Sequence, residues 1–323
     1  MPNIYILSLT QLNVKDNNTS LIILKFHAKL INVLFKGGVM ILADMHVHSH
    51  FSDGADSPRE VVKKAKLAGL TAVCLADHDT SWGIPEFLDA LQEFEMLGIP
   101  AVEITTQYNG TVIHILGYGM NLYQTEIMEN SVNLNWRVHN SRIEKALESY
   151  RQAGIMNVSL AELKEKTGYQ GPCAMKLWLR DYRMRFHGLT HDQAVAETRK
   201  NGIAYFNYDK HELLTTIDAV KLIKALGGLS VFAHPGAVIK KIGEDEFFNI
   251  FYRLRKFGLN GLEAFHTSNT LDQTSLLLWL AGKSKLFITG GSDFHGRFHP
   301  ERQLGKFGVS MTHFTKMQNR LHA

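Results

Sequence analysis

The chain has 323 residues, of which 45% are hydrophobic and 20% are charged, a composition typical of globular proteins and not of disordered or disulfide-stapled chains. Its net charge of +4 suits anionic ligands but falls short of the dense basic clustering of a dedicated duplex nucleic-acid binder. Cys74 and Cys173 match neither a zinc nor a redox spacing, which favours a reducing, cytoplasmic location. A chain this long can bury a core without metals, so a metal site in it would serve chemistry.

Residues 1–39 differ in character from the rest of the chain, being rich in Asn, Ile and Leu without a clean periodicity. Their most apolar part, 21–35, is too short and too charged for a membrane span and lacks the marks of a signal peptide. Codons for Lys36-Gly37-Gly38 can spell a ribosome-binding sequence just ahead of Met40. We therefore expect residues 1–39 to be an over-read leader, with a genuine, disordered extension as the alternative. Mass spectrometry of the native protein would distinguish the two.

From Met40 onward, short apolar runs alternate with helical patterns, which is typical of βαβ units around a parallel sheet. Ser57-Pro58-Arg59-Glu60 predicts the first helix start, because it offers an N-cap serine, a proline at the first position and a glutamate for a capping box. A second helix is predicted near 84–97. Strands are predicted at 41–46, 72–76, 101–104 and, after an Asn109-Gly110 hairpin turn, 112–116.

Residues 122–202 have a different pattern, with helix after helix and no convincing strand. Capping boxes are predicted at Ser159…Glu162 and Thr190…Gln193. Strand patterns then return at 229–234, 261–265 and 286–290. We therefore predict an α/β barrel formed by residues 40–121 and 203–323, with residues 122–202 inserted as a helical cap over the active site.

Five short motifs place His, Asp or Glu at or near predicted strand ends. They are Asp44-Met45-His46-Val47-His48 with Ser52-Asp53-Gly54, Asp77-His78-Asp79-Thr80, Val102-Glu103-Ile104 with His114 in the next strand, Ala233-His234-Pro235-Gly236, and Ser292-Asp293-Phe294-His295. Each motif alone has a plain alternative, such as a polar βα loop or a core histidine. In a parallel barrel, however, strand ends share one face, where crowded carboxylates would need several divalent cations. Nitrogen and oxygen ligands together favour Mn, Fe or Zn over Mg or Ca.

In order and spacing, these motifs resemble the PHP (polymerase and histidinol phosphatase) family. Within it, they are most similar to the stand-alone nucleoside 3′,5′-bisphosphate phosphatase and oligoribonucleotide 5′-3′ exonuclease group. The resemblance covers residues 41–296 and implies a distorted (β/α)7 TIM-like barrel with a helical insertion over a trinuclear metal centre. It implies nine metal ligands: His46, His48, Asp53, His78, Glu103, His114, His234, Asp293 and His295.

The resemblance also implies how these ligands are shared among two to three divalent ions, with Mn favoured and Fe or Zn as alternatives. Glu103 would bridge two ions. The first ion would also be bound by His46, His48 and Asp293, the second by His114 and His234, and a third by Asp53, His78 and His295.

The implied activity is hydrolysis of phosphate esters of nucleotides or short oligonucleotides. A hydroxide held between two ions would be the nucleophile, since a metal lowers the pKa of water from ~15.7 to ~7. His234 and His295 are the candidates for protonating the leaving group. A histidinol-phosphate phosphatase or another small-molecule phosphatase is the alternative, and a metal-dependent amidohydrolase would usually show a bridging lysine. A catalytically silent PHP module for binding or regulation would be expected to have lost ligands, and all nine are present.

Substrate binding is predicted to depend on basic residues of the insertion, because phosphates beyond the scissile one need Arg or Lys partners. Relatives are expected to open one insertion helix with Gly-Arg-Pro-His, whereas this chain has Tyr169-Gln170-Gly171-Pro172-Cys173 and lacks that arginine. The candidates that remain are Lys176, Arg180, Arg137, Arg142 and Lys210. A solvated helix surface is the alternative for each. We expect phosphorylated small molecules or short oligonucleotides as partners, and neither a membrane nor stable duplex binding.

Overall fold

The strands of this protein curl into a barrel. The computed structural model describes residues 42–121, 125–168, 175–206 and 212–323, so the predicted leader, Cys173 and Lys210 lie outside the described residues. The strands are β1 (Ala43–Val47), β2 (Ala72–His78), β3 (Leu97–Gly98), β4 (Ala101–Tyr108), β5 (Thr111–Tyr118), β6 (Leu229–Phe232), β7 (Gly261–His266) and β8 (Phe287–Gly291).

Seven of these strands form a nearly closed sheet in the order β1-β2-β4-β5-β6-β7-β8, and β3 pairs with β2. The two ends of the path meet, because the Asp293 amide donates to the His46 carbonyl at 2.9 Å. Val47 and Phe294 form a parallel bridge beside this contact. The predicted seven-stranded, TIM-like α/β barrel is therefore confirmed.

The sheet is parallel except at one strand, β5, which the predicted Asn109-Gly110 hairpin turn introduces, and that hairpin is confirmed. β5 runs antiparallel to both β4 and β6. The cause is the two-residue turn at Asn109 and Gly110, whose φ values of 47° and 76° are those of a type I′ hairpin. Such a turn leaves no room for a crossover helix, so β5 must return beside β4. His114 therefore lies inside a strand, opposite Thr105, and not at a strand end.

Helices flank the barrel strands and form the insertion. They are α1 (Pro58–Leu67), α2 (Ile84–Glu93), α3 (Thr125–Gln152), α4 (Leu160–Thr167), α5 (Met175–His187), α6 (His191–Thr198), α7 (Thr216–Ala225), α8 (Pro235–Ile242), α9 (Glu244–Phe257), α10 (Leu271–Ser284) and α11 (Met311–Leu321). The predicted capping box of α1 is confirmed: the Glu60 amide donates to Ser57 Oγ, and the Ser57 amide donates back to the Glu60 carboxylate. Such a cap contributes about 1 kcal/mol. None of the helices in the described ranges has both the length and the apolar character needed to cross a bilayer.

Helices α3 to α6 form a cap with its own hydrophobic core, which includes Ile143, Tyr150, Leu163 and Trp178. The capping box at Thr190 is present in full, and at Ser159 the side chain accepts from the Glu162 amide. No strand occurs in 125–168 or 175–206. The boundaries of the insertion at 122 and 202 stay predictions.

The cap is fixed to the barrel through Asp79, the residue after β2. Its carboxylate accepts hydrogen bonds from Asn135 Nδ2 at 2.8 Å and faces His139 Nε2 at 3.2 Å, both on α3. Its carbonyl accepts from Trp136 Nε1 at 2.7 Å. Asn135 Nδ2 also donates to the Thr105 carbonyl of β4 at 2.7 Å. One turn of α3 is thus bound to the loop that directly follows His78.

Cys74 lies in the barrel wall, and its predicted burial is confirmed, since it is 0% exposed. Burial raises the pKa of its thiol to about 12, so little of the reactive thiolate exists in the folded chain. In a Cys173→Ser background, we expect Cys74 to resist Ellman's reagent at mildly alkaline pH until denaturant is added. Rapid stoichiometric labelling of the folded protein would contradict this prediction.

Candidate active site

The nine predicted ligands lie together at one mouth of the barrel. Seven of them stand at or after the carboxyl ends of parallel strands, which share that face, and Glu103 and His114 reach it from within β4 and β5. They come from six places in the barrel. His46 and His48 lie at the end of β1, with Asp53 in the following loop; His78 ends β2; Glu103 and His114 lie in β4 and β5; His234 follows β6; and Asp293 and His295 follow β8.

Glu103 is the centre of this cluster and is 1% exposed. Each oxygen of its carboxylate faces a different set of imidazole nitrogens. Oε1 lies 2.9 Å from His234 Nε2 and 3.0 Å from His114 Nδ1. Oε2 lies 3.1, 3.3 and 3.3 Å from nitrogens of His46, His48 and His78. A single carboxylate therefore links two sets of histidines.

Two further carboxylates lie beside His48. Asp53 Oδ1 lies 3.1 Å from His295 Nε2 and 3.7 Å from His48 Nδ1, and Asp53 Oδ2 lies 3.9 Å from His78 Nε2. On the other edge of the His48 ring, Nε2 lies 3.1 Å from Asp293 Oδ1. The His48 ring is thus held between two carboxylates.

Three groups among these residues place all their ligand atoms within 4.8 Å of one another. The groups are His46, His48, Glu103 and Asp293; His48, Asp53, His78 and His295; and His78, Glu103 and His114. The first group coincides with the implied set for one ion. The second group adds His48 to the implied set of the third ion, and the third group has His78 in place of His234 beside Glu103 and His114. Which ligand binds which ion stays a prediction.

The buried carboxylates of the cluster need positive charge beside them. Burial alone would raise the pKa of Glu103, but the charges of His78 and His46 hold it well below its usual value. Burial alone would lower the pKa of His48, but its contacts with Asp293 and Glu103 raise it to about 10. Without a metal, protonated imidazoles balance the buried carboxylates, and divalent cations could supply the same charge.

The donor set also fits transition-metal cations. His46 Nε2 and His48 Nε2 lie 3.1 Å apart, and His114 Nδ1 and His234 Nε2 lie 3.2 Å apart. Imidazole nitrogens that converge in this way on shared carboxylate oxygens are the ligands preferred by Mn, Fe and Zn. The residues present therefore fit divalent metal ions.

The two predicted proton donors differ in their surroundings. The pKa of His234 is lowered, chiefly by burial, so its ring is neutral near neutral pH, as a metal ligand must be. His295 Nδ1 lies 2.7 Å from the Asp293 carbonyl. Because a carbonyl only accepts, this nitrogen carries the proton and Nε2 is the atom that faces Asp53. The proton-transfer roles of both histidines stay predictions.

Among the predicted substrate-binding residues, Lys176 is exposed and lies close enough to Asp53 for that carboxylate to act on its charge. Partial desolvation and neighbouring guanidinium groups nevertheless lower the pKa of Lys176. Arg137 is exposed on α3. Lys210 lies outside the described residues.

Arg142 and Arg180 are engaged within the cap. The Nε of Arg142, a buried residue, donates to the Phe206 carbonyl at 3.0 Å. Arg180 Nε donates to Thr198 Oγ1 at 2.7 Å. Both therefore have a structural role in the cap, and their contribution to substrate binding stays a prediction.

Sequence reasoning missed three residues at this site. Glu263 and His266 in β7 are 0% and 2% exposed and contact the predicted ligands. The signal was available, because an acid and a histidine at the end of an apolar strand repeat the composition of the other motifs. Arg302, which donates to the Asp293 carboxylate, lies in a loop without such a signal.

Another buried acid supports the loop that carries Asp53. Asp77 accepts hydrogen bonds from the Ser49 amide at 2.7 Å, from Ser49 Oγ at 2.6 Å and from Ser52 Oγ at 2.5 Å. These contacts fold residues 49–54 back over β2. Asp53 is thereby held beside His78.

Comparison with known proteins places this arrangement among phosphate-ester chemistries. The family model of the PHP domain matches residues 44–194. The chain is 26% identical to a phosphoribosyl 1,2-cyclic phosphate 1,2-diphosphodiesterase of Eggerthella lenta, over 80% of this chain and 95% of the relative. It is 29% identical to a 5′-3′ exoribonuclease of Haemophilus influenzae, over 78% and 89% of the two chains. It is 27% identical to a 3′,5′-nucleoside bisphosphate phosphatase of Chromobacterium violaceum, over 81% and 90%.

Among solved structures, the chain resembles a crystal structure from Bifidobacterium adolescentis that is assigned as a metal-dependent phosphoesterase. The TM-score is 0.74, the sequence identity is 25%, and the match covers 86% of this chain and 96% of that chain. The likeness therefore extends over cap and barrel alike.

Proposed function

We propose that this chain is a PHP-domain protein and a metal-dependent hydrolase of phosphoric esters, acting on nucleotides or short oligonucleotides. The observation that carries the proposal is Glu103, whose two buried carboxylate oxygens face five histidine side chains. A buried cluster of this kind has little structural value unless cations bind it. The three curated relatives, each matched over most of its length, are all named for cleavage of phosphate esters.

Two to three divalent cations would be held by the nine predicted ligands, with Mn favoured over Fe or Zn. When bound, they would neutralise charge on the phosphoryl oxygens and make a water molecule acidic enough to attack at neutral pH. The chain's own contribution is to keep the imidazoles oriented and the carboxylates charged. A reducing, cytoplasmic location is part of the proposal and agrees with the buried free thiol of Cys74.

The leaving group would take its proton from His234 or His295. The His234 side chain keeps 17% exposure and that of His295 keeps 4%, so His234 has the better access, whereas its lowered pKa makes its ring the weaker source of a proton. Lys176, at the start of α5 in the cap, would bind a phosphate beyond the scissile one. This arrangement leaves phosphate recognition to the cap and bond cleavage to the barrel.

The test is phosphate release by the Mn-loaded protein from nucleoside 3′,5′-bisphosphates, mononucleotides, short RNA and histidinol phosphate. We expect turnover of nucleotides or short RNA to exceed that of histidinol phosphate. Preference for histidinol phosphate would favour the small-molecule phosphatase. Inactivity on every substrate with Mn bound would favour the catalytically silent module and defeat the proposal.

The Lys176→Ala substitution should change KM for a substrate with two phosphates and not for a substrate with one. Loss of one charge-assisted contact should raise KM for a bisphosphate roughly tenfold and leave a monophosphate nearly unchanged. Steady-state kinetics on the two substrates would measure this difference. Lys145→Ala, which removes an exposed lysine of α3, is the matched control. Equal KM changes for both substrates would assign Lys176 to something other than the second phosphate.

A further inference from the structure

Strand β7 supplies none of the nine predicted ligands, yet two of its buried side chains contact the cluster. Glu263 lies in the middle of the strand and His266 ends it. Both point into the barrel mouth, and their exposed fractions are 0% and 2%. Buried ionisable groups at such a place need a reason, because burial without a partner is costly.

Glu263 holds two predicted ligands at once. Its Oε1 lies 2.9 Å from His46 Nδ1, and its Oε2 accepts the His234 amide at 2.7 Å. Because a charged carboxylate only accepts, His46 Nδ1 carries the proton, and His46 Nε2 is left to face Glu103. His234 has a φ of 31°, in the left-handed region that non-glycine residues disfavour, and the hydrogen bond holds it there.

His266 acts on a different ligand. The Ser268 amide donates to its Nδ1 at 3.0 Å, so the neutral ring carries its proton on Nε2. That Nε2 lies 3.5 Å from Asp293 Oδ2. The other oxygen of the same carboxylate, Oδ1, lies 3.1 Å from His48 Nε2. His266 Nε2 therefore faces the outer oxygen of Asp293, which also accepts from Arg302, and the inner oxygen is left for the site.

A further metal site at β7 is the competing interpretation, because ligand atoms of His46, Glu263 and His266 lie within 4.8 Å of one another. The hydrogen bonds argue against it. His266 Nδ1 already accepts from the Ser268 amide, and its Nε2 carries a proton. His46 Nδ1 donates to Glu263. The nitrogen lone pair that remains, on His46 Nε2, faces Glu103 and belongs to the predicted cluster, so none is left for a further cation at β7.

We propose that Glu263 and His266 are positioning residues that fix the orientation of the metal ligands His46, His234 and Asp293. The inference rests on the proposed function, since it requires metal at those ligands. Hydrogen-bond partners behind metal ligands set ring orientation and tautomer, and their loss typically weakens metal binding by roughly 10–100-fold.

The first experiment is calorimetric titration of the metal-free full-length protein with Mn²⁺, comparing wild type with Glu263→Gln. Glutamine has the same size but only one acceptor oxygen, so it cannot serve both His46 and His234. We expect at least one Mn²⁺ affinity to fall roughly 10–100-fold. The matched control is Glu197→Gln, which breaks an ion pair with Arg183 inside the cap and should leave Mn²⁺ binding unchanged.

The second experiment compares His266→Gln with His266→Leu in the same titration. Glutamine keeps an N–H donor for Asp293 and should bind Mn²⁺ nearly as well as wild type, whereas leucine removes the donor and should bind more weakly. This pair of variants tests the positioning role of His266 even if Glu263→Gln does not fold. Circular dichroism would show whether each variant is folded.

The outcomes separate this inference from the proposed function. If wild type binds no Mn²⁺, both fail. If wild type binds Mn²⁺ and all folded β7 variants bind it equally well, only the positioning role is overturned. If Glu197→Gln weakens Mn²⁺ binding as much as Glu263→Gln, the effect is general loosening of the fold, and the positioning role is overturned as well.

Discussion

Replacing Glu103 by glutamine should abolish phosphate release, with turnover expected to fall by roughly a thousandfold, or ~4 kcal/mol of activation free energy. The reason is that both carboxylate oxygens are used, one facing His114 and His234 and the other facing three further imidazoles. An amide offers a single acceptor, and its NH₂ group would point a donor at nitrogens that must themselves bind cations. Phosphate release and bound metal, measured on the same sample, should fall together.

Glu93→Gln is the control for this prediction, because Glu93 pairs with Arg59 on the surface. Exposed pairs contribute about 0–1 kcal/mol, so turnover and metal content should remain at wild-type levels. Full turnover by Glu103→Gln, with its metal retained, would remove Glu103 from the metal centre.

Stripping the metals with a chelator should eliminate turnover and lower the unfolding temperature, and Mn²⁺ should restore both. A cation that binds only the folded chain stabilises it by about 2.7 kcal/mol at a free concentration of 100 Kd. For a chain of this size, that corresponds to a shift of roughly 4 °C. Differential scanning fluorimetry with and without Mn²⁺ would measure the shift.

Mg²⁺ at the same concentration is the matched control, because it prefers oxygen ligands and should stabilise the imidazole-rich site less. An unchanged unfolding temperature together with full turnover after exhaustive chelation would contradict the metal requirement.

Much of the fold could be predicted because its signals are local. The capping box at Ser57, the Asn109-Gly110 turn and the apolar run around Cys74 each lie within a few residues. The Asn109-Gly110 signal also predicts the one antiparallel strand of the barrel, because a two-residue turn leaves no room for a crossover helix. The short strand β3 was missed because two residues carry no usable pattern.

The candidate site was predictable to the extent that its residues stand in short motifs. His46 and Asp293 could be identified from the His-x-His and Asp-x-His spacing of their motifs. The contact of Glu263 with His46 could not be predicted, because its partner lies on another strand 217 residues away. The contact of Arg302 with Asp293 could not be predicted, because it depends on how the loop after β8 folds back. Hydrogen-bond partners of this kind depend on strand register, which only the folded barrel defines.

The sequence differs from the expected family pattern at a residue that is predicted to bind substrate. The arginine expected in the insertion is replaced at Tyr169-Gln170-Gly171, which lies outside the described residues. The three curated relatives act on different phosphate esters by name, although each is similar to this chain over most of its length. Similarity to this chain therefore goes with several different substrates among the relatives, and we expect the difference to lie in the cap.

The distribution of the cluster along the chain has a consequence for biosynthesis. His46 belongs to the first described strand and His295 follows the last one, with the whole cap synthesised in between. While the ribosome is still synthesising the cap, the ligands that follow β6 and β8 do not yet exist. The histidines of β1 and β2 therefore cannot yet form the complete cluster. Binding of all the proposed ions would therefore follow synthesis of nearly the entire polypeptide, and a nascent chain stalled before β8 should lack part of the proposed metal centre.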